Sequence, residues 1–385
     1  MKTERCISKD FNVDVISSEI IKLCNNTEFG SNAVGILYCD TEVDSSKLIS
    51  ALSERLSIPI VGGTIMSFLS DDTSAIFTLL YGDDVCFSAT AVDLSEGDLK
   101  TKIKALYDDS VKALGETPKL IVPFMPFIRN TNAADDSCKV LFELANGIPV
   151  FGGVHADDMV DSVAAVFCNK RYTQNSLALL LIGGNIKPLF AQGAGVTKIS
   201  AYAPLVTRLE GERLYDVDNM PFSNYAKELG VEMTPEGRLN LEYGILSFEE
   251  LDGLPEYPQL RTISNVSDDQ SYVNMTASVP LPSRVSIVML TKENVISSTE
   301  TAVADIKKKI AENEVDGYKY SFISCISCAS RYFAHIGGKN AEKEFISKEL
   351  PDGANFYAFG EIGPVVLEQK VQNRLNNVSL VICAI

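Results

Sequence analysis

Two copies of one short element constrain this chain more than any other feature. Ile58-Pro-Ile-Val-Gly-Gly63 and Ile148-Pro-Val-Phe-Gly-Gly153 lie 152 − 62 = 90 residues apart, and each ends the same local plan. In the first, Ala33-Val-Gly-Ile-Leu-Tyr38 is a continuous apolar run and reads as a buried strand. Asp44-Ser-Ser-Lys47 supplies helix-capping residues, and Leu48, Leu52 and Leu56 repeat at helical spacing. In the second, Lys119-Leu-Ile-Val-Pro-Phe124 is the strand, and Asp135-Asp-Ser137 opens a helix with Val140, Leu141 and Leu144 on one face. A third, looser unit runs from Tyr320-Ser-Phe-Ile-Ser-Cys325 through a helix at 340–350 to Asn355-Phe-Tyr-Ala-Phe-Gly360. A strand–helix–strand crossover is parallel and right-handed, so each unit is expected to deliver its second strand to a turn at a sheet edge. The glycines Gly62, Gly63, Gly152 and Gly153 then permit either a positive φ or close backbone approach to a ligand.

Antiparallel pairs are expected between the units. Residues 74–81 and 85–92 flank the turn Gly82-Asp-Asp84, and residues 163–167 and 176–182 flank 169–175 in the same way. Beyond a boundary near 200–212, a short strand from Leu214 and a helix ending at Gly230 precede a Pro- and Glu-rich stretch at 231–262 that reads as irregular. The expected fold class is α/β (α+β mixed), in two domains, 1–200 and 201–385, with mixed sheets. A chain of 385 residues exceeds what one core usually serves, which agrees with two domains.

Composition narrows the function classes. The formal net charge is −17, with the acidic excess spread over both halves, so no basic half exists to neutralise nucleic acid or anionic lipid. Residues 1–11 carry charges without an apolar core, unlike a signal peptide, and no apolar run approaches a membrane span. Nine scattered cysteines read as free thiols in a reducing cytoplasm, and two histidines leave little room for a metal site. No cofactor is expected, and no nucleophile elbow, Walker loop or dinucleotide fingerprint occurs.

The sharpest local cluster is Ser324-Cys-Ile-Ser-Cys-Ala-Ser-Arg331, where a strand ends. Ligands favour the carboxyl edge of an α/β sheet. Cys325 and Cys328 read either as a redox dithiol or as buried thiols. Arg331 is a fork for a carboxylate or phosphate, or else an internal ion pair with Glu361. Gly360, Glu361 and Gly363 form the matching turn, and Glu361 beside Arg331 suits a zwitterion such as an amino acid. His155, followed by Asp157, Asp158 and Asp161, reads as a solvated acidic loop or a cation site. Asn169-Lys-Arg171 is a basic point facing a cleft or a plain hairpin tip.

These elements in this order, with Cys328-Ala-Ser-Arg331, Phe356-Tyr-Ala-Phe-Gly-Glu-Ile-Gly-Pro364 and Asn376-Asn-Val-Ser-Leu-Val-Ile382, resemble the FIST family of F-box and intracellular signal transduction proteins. The resemblance covers residues 25–385. It implies paired FIST N and FIST C domains and a sensory module that binds small ligands such as amino acids. Carried over by position, Cys328, Arg331, Gly360, Glu361, Gly363 and Pro364 are the family-matching residues, while Cys325 is outside the pattern. A non-catalytic cytoplasmic sensor with a separate signalling partner is the leading expectation. A thiol enzyme using Cys328, with His335 as its base, and a ligand-free scaffold are the alternatives.

Overall fold

The computed structural model describes residues 1–385 apart from 66–72, 128–132, 156–163, 234–243, 252–257, 315–316, 335–340, 352, 359 and 368–369. All three crossovers form. Ala33–Asp40 pairs in parallel with Ile60–Ile65 across the helix Ser45–Arg55, which Asp44 caps by accepting the Lys47 N–H at 3.0 Å. Leu120–Pro126 pairs with Gly152–His155 across Ala133–Ala145, and Ile323–Cys328 with Gly353–Ala358 across Ala341–Glu349.

The repeat is larger than its sequence signature. Each crossover is preceded by a strand and a helix: Lys2–Ser8 with Val13–Asn26, Val85–Asp93 with Leu99–Leu114, and Leu189–Gly193 with Lys292–Glu314. Each is followed by a strand antiparallel to its first strand, namely Ala75–Tyr81, Ser176–Gly184 and Leu380–Ala384. Spatial order is the same in all three sheets: leading strand, closing strand, first crossover strand, second crossover strand. Two hairpins are exchanged between units. Val166–Cys168 with Arg171–Thr173, from the second unit, extends the first sheet, and Gly360–Leu367 with Lys370–Asn376, from the third, extends the second sheet.

One apolar core is built from the inner faces of all three sheets, with Ile36, Val61 and Leu80 from the first, Val122, Leu180 and Ile182 from the second, and Ile326, Ala354 and Val381 from the third. The helices cover the outer faces through separate clusters. Burial on both faces explains why these strands read as continuous apolar runs rather than alternating ones. A second body, residues 194–291, is inserted between the leading strand and first helix of the third unit. It is mostly antiparallel and has its own core around Leu214, Phe222, Phe248 and Ile287.

Several expectations change here. A strand pair crosses the expected division at 200/201, since Leu189–Gly193 pairs with Leu380–Ala384 at the far end of the chain. Neither expected hairpin forms. Ala75–Tyr81 lies in the first sheet and Val85–Asp93 in the second, so Gly82 (φ 156°) turns the chain between sheets. Likewise Val166–Cys168 and Ser176–Gly184 part company. The stretch at 231–262 contains the strand Ile245–Glu250 and the start of Gln259–Val266. The glycine pairs are not turns: Gly62 and Gly63 lie inside one strand, and Gly152 and Gly153 start another. A β-carbon on Gly62 would collide with the Leu37 carbonyl, and one on Gly152 with that of Pro123. Close backbone packing, rather than positive φ, is what these glycines provide.

Gly62→Ala should therefore destabilise the protein by about 1–3 kcal/mol or more through overpacking. The measurement is the urea midpoint at unchanged slope, and an unchanged midpoint would mean that this contact can relax freely.

Candidate functional site

The three sheets meet at an aromatic cluster near the carboxyl ends of their parallel strands. His155 stacks on Phe124 at 5.7 Å and 9°, on Phe356 at 6.3 Å and 8°, and on Tyr38 at 5.7 Å. Register pairs Tyr38 with Gly63, Phe124 with Gly153 and Ile326 with Phe356, so the two glycines occupy the positions equivalent to Phe356. Their missing side chains make room for this cluster. The space above Gly63 holds the His155 ring, 2.5 Å from an ideal β-carbon, and that above Gly153 holds Ala358 and Ile326. His155 Nδ1 lies 3.1 Å from the Thr64 carbonyl, which accepts its proton and so leaves Nε2 as the unprotonated nitrogen. Burial lowers its pKa to about 4, so the imidazole is neutral at physiological pH. Asp157, Asp158, Asp161 and His335 lie outside the described residues. Among the described residues no group of three His, Cys, Asp or Glu side chains is placed to hold a metal.

Glu361 is the second residue of the strand Gly360–Leu367 in the exchanged hairpin of the third unit and is fully buried. Its Oε1 accepts the Ser379 N–H at 2.7 Å and the Ser379 hydroxyl, while Oε2 has no hydrogen-bond partner among the described residues. Burial pushes its pKa up to about 8, against the pull of the Ser379 donors and the Arg331 charge. Burial and the neighbouring Glu361 push the Cys328 thiol up to about 12, and burial does the same to Cys325. Both are far from the depressed values of reactive thiolates. Both cysteines also belong to the strand Ile323–Cys328. Three residues apart on a strand, they point to opposite faces with Cα atoms about 10 Å apart, too far for a disulfide. The dithiol reading has no geometric basis.

Arg331 is not at a cleft. It is completely buried, and its ion pair is with Glu342, at 2.8 Å, rather than with Glu361. Its remaining donors reach the carbonyls of Gly193, Val378 and Val295 and the hydroxyls of Ser298 and Thr299 at 2.9–3.3 Å. Glu342 is completed by Thr299 Oγ1 at 3.0 Å and the Tyr357 hydroxyl at 3.2 Å. This network joins the helix Lys292–Glu314, the short helix Ala329–Phe333 that carries Arg331 and the helix Ala341–Glu349 to the sheet of the third unit. Gly360 and Gly363 pack against Leu375 and Val381, respectively.

Around Glu361 lies a polar seam between the inserted body and the exchanged hairpin, which sequence reasoning missed. Arg261, buried, donates to the carbonyls of Ser278, Leu260 and Leu375 and to Gln259 Oε1 at 2.7–3.1 Å. Burial lowers its pKa to about 10, with the charges of Asp135 and Glu361 opposing that shift. Asp135 accepts from Ser278 N–H and Oγ, Thr276 donates to Asn377 at 2.6 Å, and Arg374 pairs with Glu250 at 3.6 Å. Asn376 Nδ2 is buried without a partner among the described residues. The available signal was an arginine in the inward register of the strand Gln259–Val266, two residues before Ile263.

An α/β core of three repeated units with an inserted β-rich body, and a buried charged seam between them, defines a two-part scaffold with ionisable groups at its junction. The FIST N domain model matches residues 33–220 and the FIST C domain model residues 213–364, and the chain belongs to this family. No curated protein sequence matches the chain significantly. Among solved structures, cyanuric acid hydrolase from A. caulinodans aligns over 100% of this chain and 98% of its own at 8% identity and a TM-score of 0.39. A second cyanuric acid hydrolase structure aligns over 100% and 99% at 8% identity and 0.35. Likeness at this level carries no argument about activity. No helix among the described residues is long and apolar enough to cross a membrane.

Arg331→Met should cost about 3–5 kcal/mol by stranding Glu342, with part recovered in Arg331→Met/Glu342→Leu. Chemical denaturation checks this, and a near-neutral single variant would remove the network from the stability argument. The two shifted groups also set opposing pH slopes. Below its ordinary value of 6.5 and down to about 4, His155 is protonated only in the unfolded chain, so stability falls as pH drops through that window. Glu361 keeps its proton in the native state from about pH 4.5, where the unfolded chain loses it, up to about 8, so stability falls as pH rises there. Between 6.5 and 8 only the second slope remains, and Glu361→Gln should flatten it in urea titrations. Equal slopes in both proteins would contradict the assignment.

Proposed function

We propose that this protein is a non-catalytic sensory module of signal transduction that binds a small ammonium-bearing molecule, such as an amino acid, at the seam around Glu361. The observation that carries this reading is the fully buried Glu361 carboxyl with one oxygen unanswered by the described residues. A native group of this kind is left so at a cost of about 1–3 kcal/mol unless something completes it. An ammonium group supplies both the missing hydrogen bond and the missing charge. Arg261, close enough to influence Glu361, offers the counter-charge for a carboxylate on the same ligand. The seam joins two bodies, so occupancy can bias their packing and pass to a separate output partner in the cytoplasm. Family membership supports the sensory role. High thiol pKa values at Cys325 and Cys328 argue against thiol catalysis.

A thermal-shift panel of amino acids, amines and carboxylates tests it. A ligand at 100 times its Kd should stabilise the native state by about 2.7 kcal/mol, raising Tm by a few degrees. The response should vanish in Glu361→Gln, and affinity should rise between pH 6 and 8 as binding displaces the Glu361 proton. A hit that survives Glu361→Gln would place the site elsewhere.

A further inference from the structure

The strand Val85–Asp93 ends the second sheet, with Ser176–Gly184 on its inner side and no strand on its outer side among the described residues. An edge strand of this kind presents every second N–H and C=O outward. Here the edge borders a groove of about 770 Å³ bounded by the helix Leu99–Leu114 and the tip of the exchanged hairpin. Its floor is made of the small residues Ala89, Thr90 and Ala91, all partly exposed. Lys102, Lys170 and Arg171 line it against a single carboxylate, Asp109. This is a local cationic excess in a chain of net charge −17. At the equivalent junction of the third sheet the leading strand Leu189–Gly193 meets the exchanged hairpin directly, Gln192 Nε2 donating to the Pro364 carbonyl at 3.2 Å. At the first junction the hairpin tip, residues 168–171, instead borders the groove beside Ala89–Val92.

We propose that this groove receives an extended acidic segment of a partner protein, added as a seventh strand alongside Val85–Asp93. The main chain supplies hydrogen bonds regardless of sequence, small floor residues admit alternate side chains, and Lys170 and Arg171 select carboxylates over cations. This docking mode is independent of the ligand reading at Glu361.

The probe is a fluorescein-labelled eight-residue peptide of alternating glutamate and valine, followed by fluorescence anisotropy at low salt. It should bind the wild type, weaken at least tenfold in Lys170→Glu/Arg171→Glu, and protect amides of residues 85–93 from hydrogen exchange. A lysine–valine peptide should show the reverse preference between the two proteins. Both substituted side chains are exposed at a hairpin tip, so an unchanged Tm should accompany the double variant. Absence of binding, equal binding by the charge-reversed variant, or protection away from 85–93 would overturn the proposal. So would a proline-interrupted peptide binding as tightly, which would reduce the interaction to charge alone. A concentration-dependent rise in mass without peptide, abolished by the double variant, would assign the groove to a second copy of the chain instead.

Discussion

The structure depends on burying the inner faces of three sheets in one another. Each unit alone is a four-stranded αβ layer whose helices cover only one face, leaving residues such as Leu80, Val122 and Val381 with nothing to pack on. Bringing three such faces together closes the core without a second layer of helices. Large side chains from three directions then compete for space at the carboxyl ends. The glycines at 63 and 153 resolve that competition by yielding volume to the His155 ring, Ile326 and Ala358. A shape constraint thus explains glycines that at first suggest a ligand loop.

Charge is handled differently on the two sides of the third unit. On one side Arg331 and Glu342 are completed by hydroxyls and carbonyls. Such a saturated network holds one geometry, because any displacement strands a buried charge. On the other side Glu361, Asn376 and Arg261 form a seam that is only partly answered among the described residues. The contrast separates a saturated network from one with open hydrogen-bonding positions among the described residues.

The crossovers were legible because their signals are local. Continuous apolar runs, Asp44 as a cap and leucines at helical spacing each specify an element within about ten residues. Sheet membership is not local, so the turn Gly82-Asp-Asp84 has the composition of a hairpin while joining strands of different sheets. The partner of Arg331 was equally hidden: Glu342 is eleven residues away on a helix, and only tertiary packing selects it over Glu361. Arg261 escaped because the Pro- and Glu-rich composition around it masked a strand whose inward register already contained a charge.

Hairpin exchange has a consequence for how the molecule comes apart. In linear repeat proteins each unit contacts only its neighbours, and unfolding can proceed from one end. Here the second unit completes the sheet of the first, the third completes that of the second, and the strand Leu380–Ala384 holds Leu189–Gly193 in place across nearly two hundred residues. Removing any one unit exposes an edge and a core face on the others. The three-unit core therefore behaves as an intramolecular analogue of a strand-exchanged trimer, in which opening is collective and no third is free to fray alone.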